Sequence, residues 1–262
     1  LELETMASLD VALIPAFQDN YIYLLTTPGS DVVGIVDAGD AAPAIAELER
    51  RNLALTHIFN THHHPDHIGG NEALRERFPK AVLIGPKAET ARIAGMDQTV
   101  GEGDEVAFGP VRFSTIEVPG HTRGHVAFWS EGAEAVFCGD TLFALGCGRM
   151  FEGTADQMWH SLGKLRRLPA ETRVYCGHEY TQNNARFART VDPDNPDLAA
   201  RAAEVDRLRA AGQPTIPSTM GLENKTNPFL RADQPSVAAG VGLAGADPVT
   251  VFAEVRARKD KF

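Results

Sequence analysis

The sequence predicts an α/β protein: an αββα sandwich followed by a mostly helical C-terminal region. Three observations predict it. Short β-rich segments recur as far as residue 176, helical patterns fall between them, and no β signal of length follows. Strands in bulk with interspersed helices imply helices packed outside two facing sheets. The expected division is a sandwich domain over 6–177 and a helical domain over 178–262.

The elements follow in order. Residues 10–17, 21–27 and 32–37 are β-rich and separated by Gln18-Asp19-Asn20 and Pro28-Gly29-Ser30, so the chain is expected to open antiparallel. Residues 41–51 carry a helical pattern, 56–60 a strand feeding a His-rich loop, 68–78 a second helix and 81–84 a strand. Four strands are expected over 106–108, 111–118, 125–130 and 135–138, turned at Gly109-Pro110, within 120–124 and at Glu131-Gly132. Residues 154–168 read as a helix and 173–176 as the last strand. Helical periodicity then dominates over 181–189 and 197–211, with Pro196 at a helix start. Residues 213–226, rich in Pro, Ser, Thr and Asn, read as loop, and 248–261 as the final helix.

The 262 residues are 43% hydrophobic and 23% charged. That balance excludes a disordered chain, a collagen and a disulfide-stapled miniprotein. Lys+Arg 25 against Asp+Glu 35 leaves −10, which opposes nucleic acid or an anionic membrane as main partner but allows a local basic patch. No apolar run approaches the roughly 18 residues of a spanning helix. The opening residues carry Glu2, Glu4 and Asp10 and no Lys or Arg, unlike a secretory or transit peptide. Met6 is the expected natural start, with residues 1–5 a cloning remnant. Cys138, Cys147 and Cys176 form an odd, sparse set, expected to be free thiols in a reducing cytoplasm.

Chemistry concentrates in Thr61-His62-His63-His64-Pro65-Asp66-His67, where a strand ends and a helix begins. Alternate side chains of extended backbone share a face, so His62 and His64 point together and His63 points away. Asp66 and His67 sit at the helix start and aim elsewhere. His121, Asp140 and His178 each follow a glycine at a strand end, where a sharp turn can present them at a sheet edge. Five histidines and two aspartates suit zinc, or a mixed site with iron or manganese. His57, His63 and His160 are expected to be ordinary surface or hydrogen-bonded residues, and His125 a residue that orients a ligand.

The segment 62–67 matches the HxHxDH signature of the metallo-β-lactamase superfamily. Within it the chain resembles glyoxalase II, the hydroxyacylglutathione hydrolases. The likeness extends to Pro119-Gly120-His121-Thr122-Arg123-Gly124-His125, Gly139-Asp140-Thr141-Leu142-Phe143, Gly146-Cys147-Gly148-Arg149, Glu152-Gly153-Thr154, Val174-Tyr175-Cys176-Gly177-His178-Glu179-Tyr180-Thr181, Asn227-Pro228-Phe229-Leu230-Arg231 and residues 256–262. It covers nearly the whole chain in order.

The resemblance implies His62, His64 and His121 on one metal ion, Asp66, His67 and His178 on a second, and Asp140 bridging both. It implies attack of metal-activated water on a thioester carbonyl, with Asp66 hydrogen-bonded to the nucleophile and no Ser or Cys nucleophile. The implied substrate is an S-(2-hydroxyacyl)glutathione, usually S-D-lactoylglutathione, converted to glutathione and D-lactate in methylglyoxal detoxification. It assigns Arg149, Tyr180, Arg256 and Lys259 to glutathione, in the helical domain and the glycine-rich loop. Arg258 and Lys261 are expected to be solvated surface. Two departures stand out. Arg149 replaces a common Lys, keeping the charge with another geometry, and Phe151 replaces a common Tyr, losing a phenolic hydroxyl. A monomer is expected, in the cytoplasm, with no nucleic-acid or membrane partner.

Other readings fit less well. A persulfide dioxygenase of this fold would use one iron with two His and one carboxylate, leaving the second ligand set unexplained. A metallo-β-lactamase is expected to carry an export signal, and a nuclease a broad basic surface. A metal-stabilised binding scaffold would not need the cationic cluster near the C-terminus.

Overall fold

The computed structural model describes residues 8–262; the expectations for residues 1–6 lie outside them. β1 (Asp10–Ala16), β2 (Asn20–Thr26) and β3 (Val33–Val36) form the antiparallel opening, with Ala16 registered against Asn20. β4 (His57–Phe59), β5 (Val82–Pro86) and β6 (Gln98–Val100) then add in parallel. Parallel neighbours need crossovers. α1 (Ala41–Arg50) links β3 to β4, and α2 (Pro65–Ile68) with α3 (Asn71–Arg77) links β4 to β5. Asp40 starts α1 by accepting the Ala42 N–H at 2.9 Å. The single helix expected over 68–78 is broken at Gly69-Gly70. A Cβ on either would stand 2.6 Å from a carbonyl oxygen, of Gly39 or of Ala38, so the loop after β3 presses against the chain just behind the histidines.

β7 (Glu105–Phe108), β8 (Val111–Glu117), β9 (Val126–Ser130) and β10 (Ala135–Gly139) form an antiparallel meander. Rings fill the space between the two sheets. Phe59 meets Phe108, Phe113 and Phe128 edge-on at 6.0, 5.6 and 5.3 Å, and Tyr23 meets Phe137 at 5.6 Å. Such pairs add about 0.5–1.5 kcal/mol each beyond their area burial. Gly34 admits the Phe108 ring, which a Cβ there would approach to 3.0 Å. On the outer face Ile22, Leu24, Ile35, Ile58 and Leu83 pack with Ala44 and Leu48 of α1 and Leu74 of α3. Residues 8–117 with Gly124–Gly139 make one compact unit, and Val118–Arg123 with Asp140–Phe262 a second.

The second unit holds a short hairpin, β11 (Leu142–Phe143) with β12 (Gly146–Cys147). α4 (Ala155–Leu165) begins on a Thr154/Gln157 capping box. β13 (Arg173–Cys176) pairs antiparallel with β14 (Ser218–Thr219). The remaining elements are α5 (Thr181–Val191), α6 (Pro196–Ala210), α7 (Met220–Thr226), α8 (Pro235–Gly240) and α9 (Pro248–Lys261). Ala185, Ala188 and Ala202 let α5 and α6 approach closely around Leu145 and Leu198. Phe187, Phe229 and Phe252 are fully buried beside them.

The loop expected over 213–226 is partly ordered as β14 and α7. Its Ser and Thr residues make structure there: Thr219 caps α7 by accepting the Leu222 N–H at 3.3 Å. The three cysteines are buried free thiols. Burial pushes Cys176 up to about 12 and Cys147 up to about 11, so both stay protonated at neutral pH. No helix among the described residues is long and apolar enough to cross a membrane.

Candidate metal centre

In the first unit β3 and β4 run parallel and end at one sheet edge, bringing Asp37 beside residue 61. Asp37 sits at φ +52, in the left-handed region that Asp tolerates, and its N–H donates to Phe59 O at 2.9 Å. Its carboxylate accepts from Thr61 N at 2.8 Å and Thr61 Oγ1 at 2.7 Å, and faces His67 Nδ1 at 3.1 Å. Because the Thr61 hydroxyl spends its proton on Asp37, it accepts from His62 Nδ1 at 3.0 Å. His62 therefore carries its proton on Nδ1 and keeps a lone pair on Nε2. His62 Nε2 lies 3.1 Å from His64 Nδ1, and His67 Nε2 lies 3.5 Å from Asp66 Oδ2. Asn20 donates to Asp66 Oδ2 at 3.0 Å, which ties the β1–β2 turn to the 62–67 loop.

One atom each of Asp37, His62 and His67 lies within 4.8 Å of the others. The Asp37 oxygens already accept from Thr61 N and Thr61 Oγ1 and lie against His67 Nδ1. His125 stacks on His62 at 4.5 Å and 18°. Gly139, at φ +47, makes that possible, since a Cβ there would stand 2.3 Å from Thr61 Oγ1 and 2.8 Å from the His125 ring. His63 turns the other way, paired with the buried Glu89 and contacted by Arg92 Nη1 at 3.0 Å. His57 packs among Phe59 and Phe108, and burial lowers its pKa.

In the second unit His121, Asp140 and His178 are buried together. His121 Nε2 and His178 Nε2 face one oxygen, Asp140 Oδ2, at 3.5 and 3.3 Å. His121 Nδ1–H donates to the Arg149 carbonyl at 2.8 Å, which again leaves the lone pair on Nε2. Gly120 and Gly148 are required here: a Cβ would meet Met158 Sδ at 2.8 Å in the first case and Asp140 O at 1.9 Å in the second. Tyr180 stacks on His178 at 4.7 Å and 3°, and the exposed Phe151 ring lies 5.2 Å from His121.

A cationic cluster lies on α9 and the loop after β12. Asp260 sits between Arg256 Nη2, at 2.9 Å, and Arg149 Nε, at 3.7 Å. Arg256 is only 4% exposed, with Nη1 donating to Cys147 O at 2.7 Å and its guanidinium over the Phe229 ring. Arg149 is solvent-facing. Lys259 contacts Asn183 and is lowered to about 8, by burial first and then by Arg256 and Arg149. Arg258 is not simply solvated surface: its Nη2 donates to the Val241 carbonyl at 2.6 Å, and it pairs with Glu254.

The donor set fits a divalent cation. It offers only imidazole nitrogens and carboxylate oxygens, a mixture suited to zinc, iron or manganese. His62 and His121 have their outer nitrogen hydrogen-bonded to Thr61 and a backbone carbonyl, the arrangement that fixes metal-binding imidazoles, and His67 Nδ1 lies 3.1 Å from the Asp37 carboxylate. Asp37, Thr61 and Asn20 were not singled out from the sequence. Asp37 did carry a signal, being a carboxylate followed within two residues by glycine at a strand end.

Residues 17–178 match the Metallo-beta-lactamase superfamily, and residues 179–262 match the Hydroxyacylglutathione hydrolase C-terminus. The chain is 51% identical to a hydroxyacylglutathione hydrolase of Rhodospirillum rubrum, over 98% of this chain and 100% of that protein. It is 50% identical to that of Methylococcus capsulatus over 97% of this chain and 99% of that protein. Among solved structures, ETHE1 from Myxococcus xanthus is 25% identical with a TM-score of 0.66, covering 95% of this chain and 98% of that one. The di-iron-bound form of TTHA1623 is 25% identical with a TM-score of 0.60, covering 84% of this chain and 100% of that one.

Proposed function

The chain belongs to the hydroxyacylglutathione hydrolases of the metallo-β-lactamase superfamily, and from that premise we propose that its two ligand sets close on a dinuclear centre. His62, His64 and His121 would hold one ion, Asp66, His67 and His178 the other, and Asp140 both. Zinc is the expected occupant and iron the alternative, a di-iron form being known for TTHA1623. The reaction is hydrolysis of a hydroxyacylglutathione thioester, most simply S-D-lactoylglutathione, to glutathione and D-lactate. The single observation that supports the site assignment is the engagement of Nδ1 on His62 by Thr61 and on His121 by the Arg149 carbonyl, which leaves an Nε2 lone pair on each for ligation.

When bound, such ions lower the pKa of a water and polarise a carbonyl oxygen. The chain's own groups do the rest. Asp66, held by Asn20, accepts a hydrogen bond from the attacking water and aligns it. Water adds to the thioester carbon, the C–S bond breaks, and the sulfur leaves as thiolate; one proton of the water ends on that sulfur and the other passes to solvent as the new acid ionises. Arg149, Tyr180, Arg256 and Lys259 would hold the glutathione part. Arg149 and Lys259 would meet its carboxylates, Tyr180 would offer its hydroxyl, and the buried Arg256 would add its charge. Residues 178–262 would then serve chiefly glutathione binding.

Purified protein should hydrolyse S-D-lactoylglutathione, lose that activity on chelation and regain it on return of about two equivalents of zinc. Turnover that survives complete metal removal would overturn the metal assignment, and no turnover by the loaded protein would overturn the substrate.

A further inference from the structure

The motif Asn227-Pro228-Phe229-Leu230-Arg231 has no part in the chemistry above, yet Asn227 is fully buried against the 142–147 hairpin. Its Nδ2 donates to Phe143 O at 3.1 Å, to Gly146 O at 3.0 Å and to Glu223 Oε2 at 3.0 Å. Glu223, also fully buried, accepts the Leu145 N–H at 2.9 Å through the same oxygen. Leu145 is a non-glycine residue at φ +59, a conformation that costs energy and persists only where its surroundings impose it. Asn184 of α5 takes Ala144 O at 3.1 Å, and Arg256 of α9 takes Cys147 O at 2.7 Å. Five backbone polar groups of this hairpin are therefore held by side chains of the C-terminal helices and the residue that ends α7.

The hairpin carries the ligands at its base. Asp140 precedes it, and Gly148 N returns to Thr141 O at 3.2 Å. Arg149, just beyond, supplies the carbonyl that orients His121. The Phe143 ring lies edge-on to His178 at 5.8 Å. One small element thus touches or adjoins all three ligands of the second unit.

We propose that Glu223 and Asn227 are positioning residues of the metal centre, acting through the 142–147 hairpin. Resting on the dinuclear reading above, this gives the C-terminal region a second role beside glutathione binding. The opposing possibility is a purely structural role, in which these side chains stabilise the fold without affecting the metal. The Glu223 carboxylate also takes Arg201 and Ser218, both on Oε1. Its Oε2 is thereby left for Leu145 and Asn227.

The test measures zinc affinity by competition with a chromophoric chelator, for wild type, Glu223→Gln and Asn227→Asp. Gln keeps the shape but replaces a charged acceptor, and Asp turns the donor toward two carbonyls into an acceptor. Each should weaken at least one of two zinc equivalents by roughly 10–100-fold, the usual effect of losing a residue that orients ligands, with kcat falling more than KM changes. Asp192→Asn is the control. It removes a buried partner of Arg231 at 3.3 Å in the same region and touches nothing in the hairpin; it should lower Tm and leave zinc affinity within about twofold.

Linkage is reciprocal, so zinc added to wild type should slow hydrogen exchange at Leu145 N–H more than at the buried amides of α6. That measurement keeps the test decisive where a variant does not fold. Wild-type uptake of two equivalents with unchanged affinity in folded variants, equal loss in Asp192→Asn, or no selective protection of Leu145 would overturn this proposal alone. Wild-type saturation at one equivalent would overturn the dinuclear reading and this proposal with it.

Discussion

Asp37 illustrates how one carboxylate can shape a candidate centre from outside the proposed ligand set. It accepts the Thr61 hydroxyl proton, which leaves that oxygen to accept from His62 Nδ1, and it lies 3.1 Å from His67 Nδ1. Asp37→Asn keeps the shape but can present an N–H to a group that must donate to it. Metal affinity should fall roughly 10–100-fold, read by metal analysis after equilibrium dialysis. His63→Ala should leave metal content unchanged, because His63 is committed to Glu89 and Arg92; equal losses in the two variants would show that the ring assignment is wrong. Lys259 invites a pH test. Its amine is lowered to about 8 by burial and by Arg256 and Arg149, against the opposing pull of Asp260. It is charged below that value and neutral above it. Affinity for an unreactive S-alkyl glutathione should therefore hold steady below pH 8, fall as pH rises through 8, and approach that of Lys259→Gln, whose own affinity should change little over the same range. Calorimetric titration reads both, and parallel pH profiles would remove Lys259 from the binding site.

At the scale of elements, α9 shows why charge was legible in the sequence and burial was not. Arg256 and Lys259 share a helix face by spacing alone. Only packing shows that Arg256 turns inward to close on Cys147 O while Arg149 stays in solvent. The two cations should therefore fail differently. Lys259→Ala should raise KM roughly ten- to hundredfold, the worth of a charge-assisted hydrogen bond, at near-constant kcat and Tm. Arg256→Ala should also leave the buried Cys147 carbonyl unsatisfied, a loss of about 1–3 kcal/mol visible as a lower Tm and a broader loss of activity. Matching thermal profiles would count against the structural role of Arg256. The same contrast governs the candidate ligands. His62, His64, Asp66 and His67 are close in the chain, so strand alternation and a helix start were enough to propose them. Asp37 reaches them through the parallel register of β3 and β4, which no local pattern encodes. Likewise the Ser and Thr of 213–226 suggest loop by composition, but pair with β13 and cap α7 once those neighbours exist.

At the scale of the whole molecule, the proposed centre draws its ligands from four stretches far apart in the chain, residues 62–67, His121, Asp140 and His178, so metal binding and folding should be coupled. An ion that binds only the folded chain stabilises it by about 2.7 kcal/mol at a free concentration 100 times its Kd. For a chain of this size each kcal/mol is worth roughly 2–4 °C in Tm, so each ion should add on the order of 5–10 °C. Cooperativity should change as well. Without metal these stretches lose a shared set of bonds, and unfolding should broaden. With both ions present, none of them can unfold without releasing ligands from the same centre, so the transition should sharpen. Scanning calorimetry of chelated and zinc-loaded protein reads both effects, with the calorimetric and van't Hoff enthalpies converging only in the loaded form. Asp140→Asn gives the decisive comparison, since it weakens the one ligand proposed to serve both ions. Its loaded scan should resemble the chelated wild type, whereas His63→Ala should resemble the loaded wild type. A zinc-induced rise confined to part of a broad transition would mean that the two ligand sets do not form a single centre.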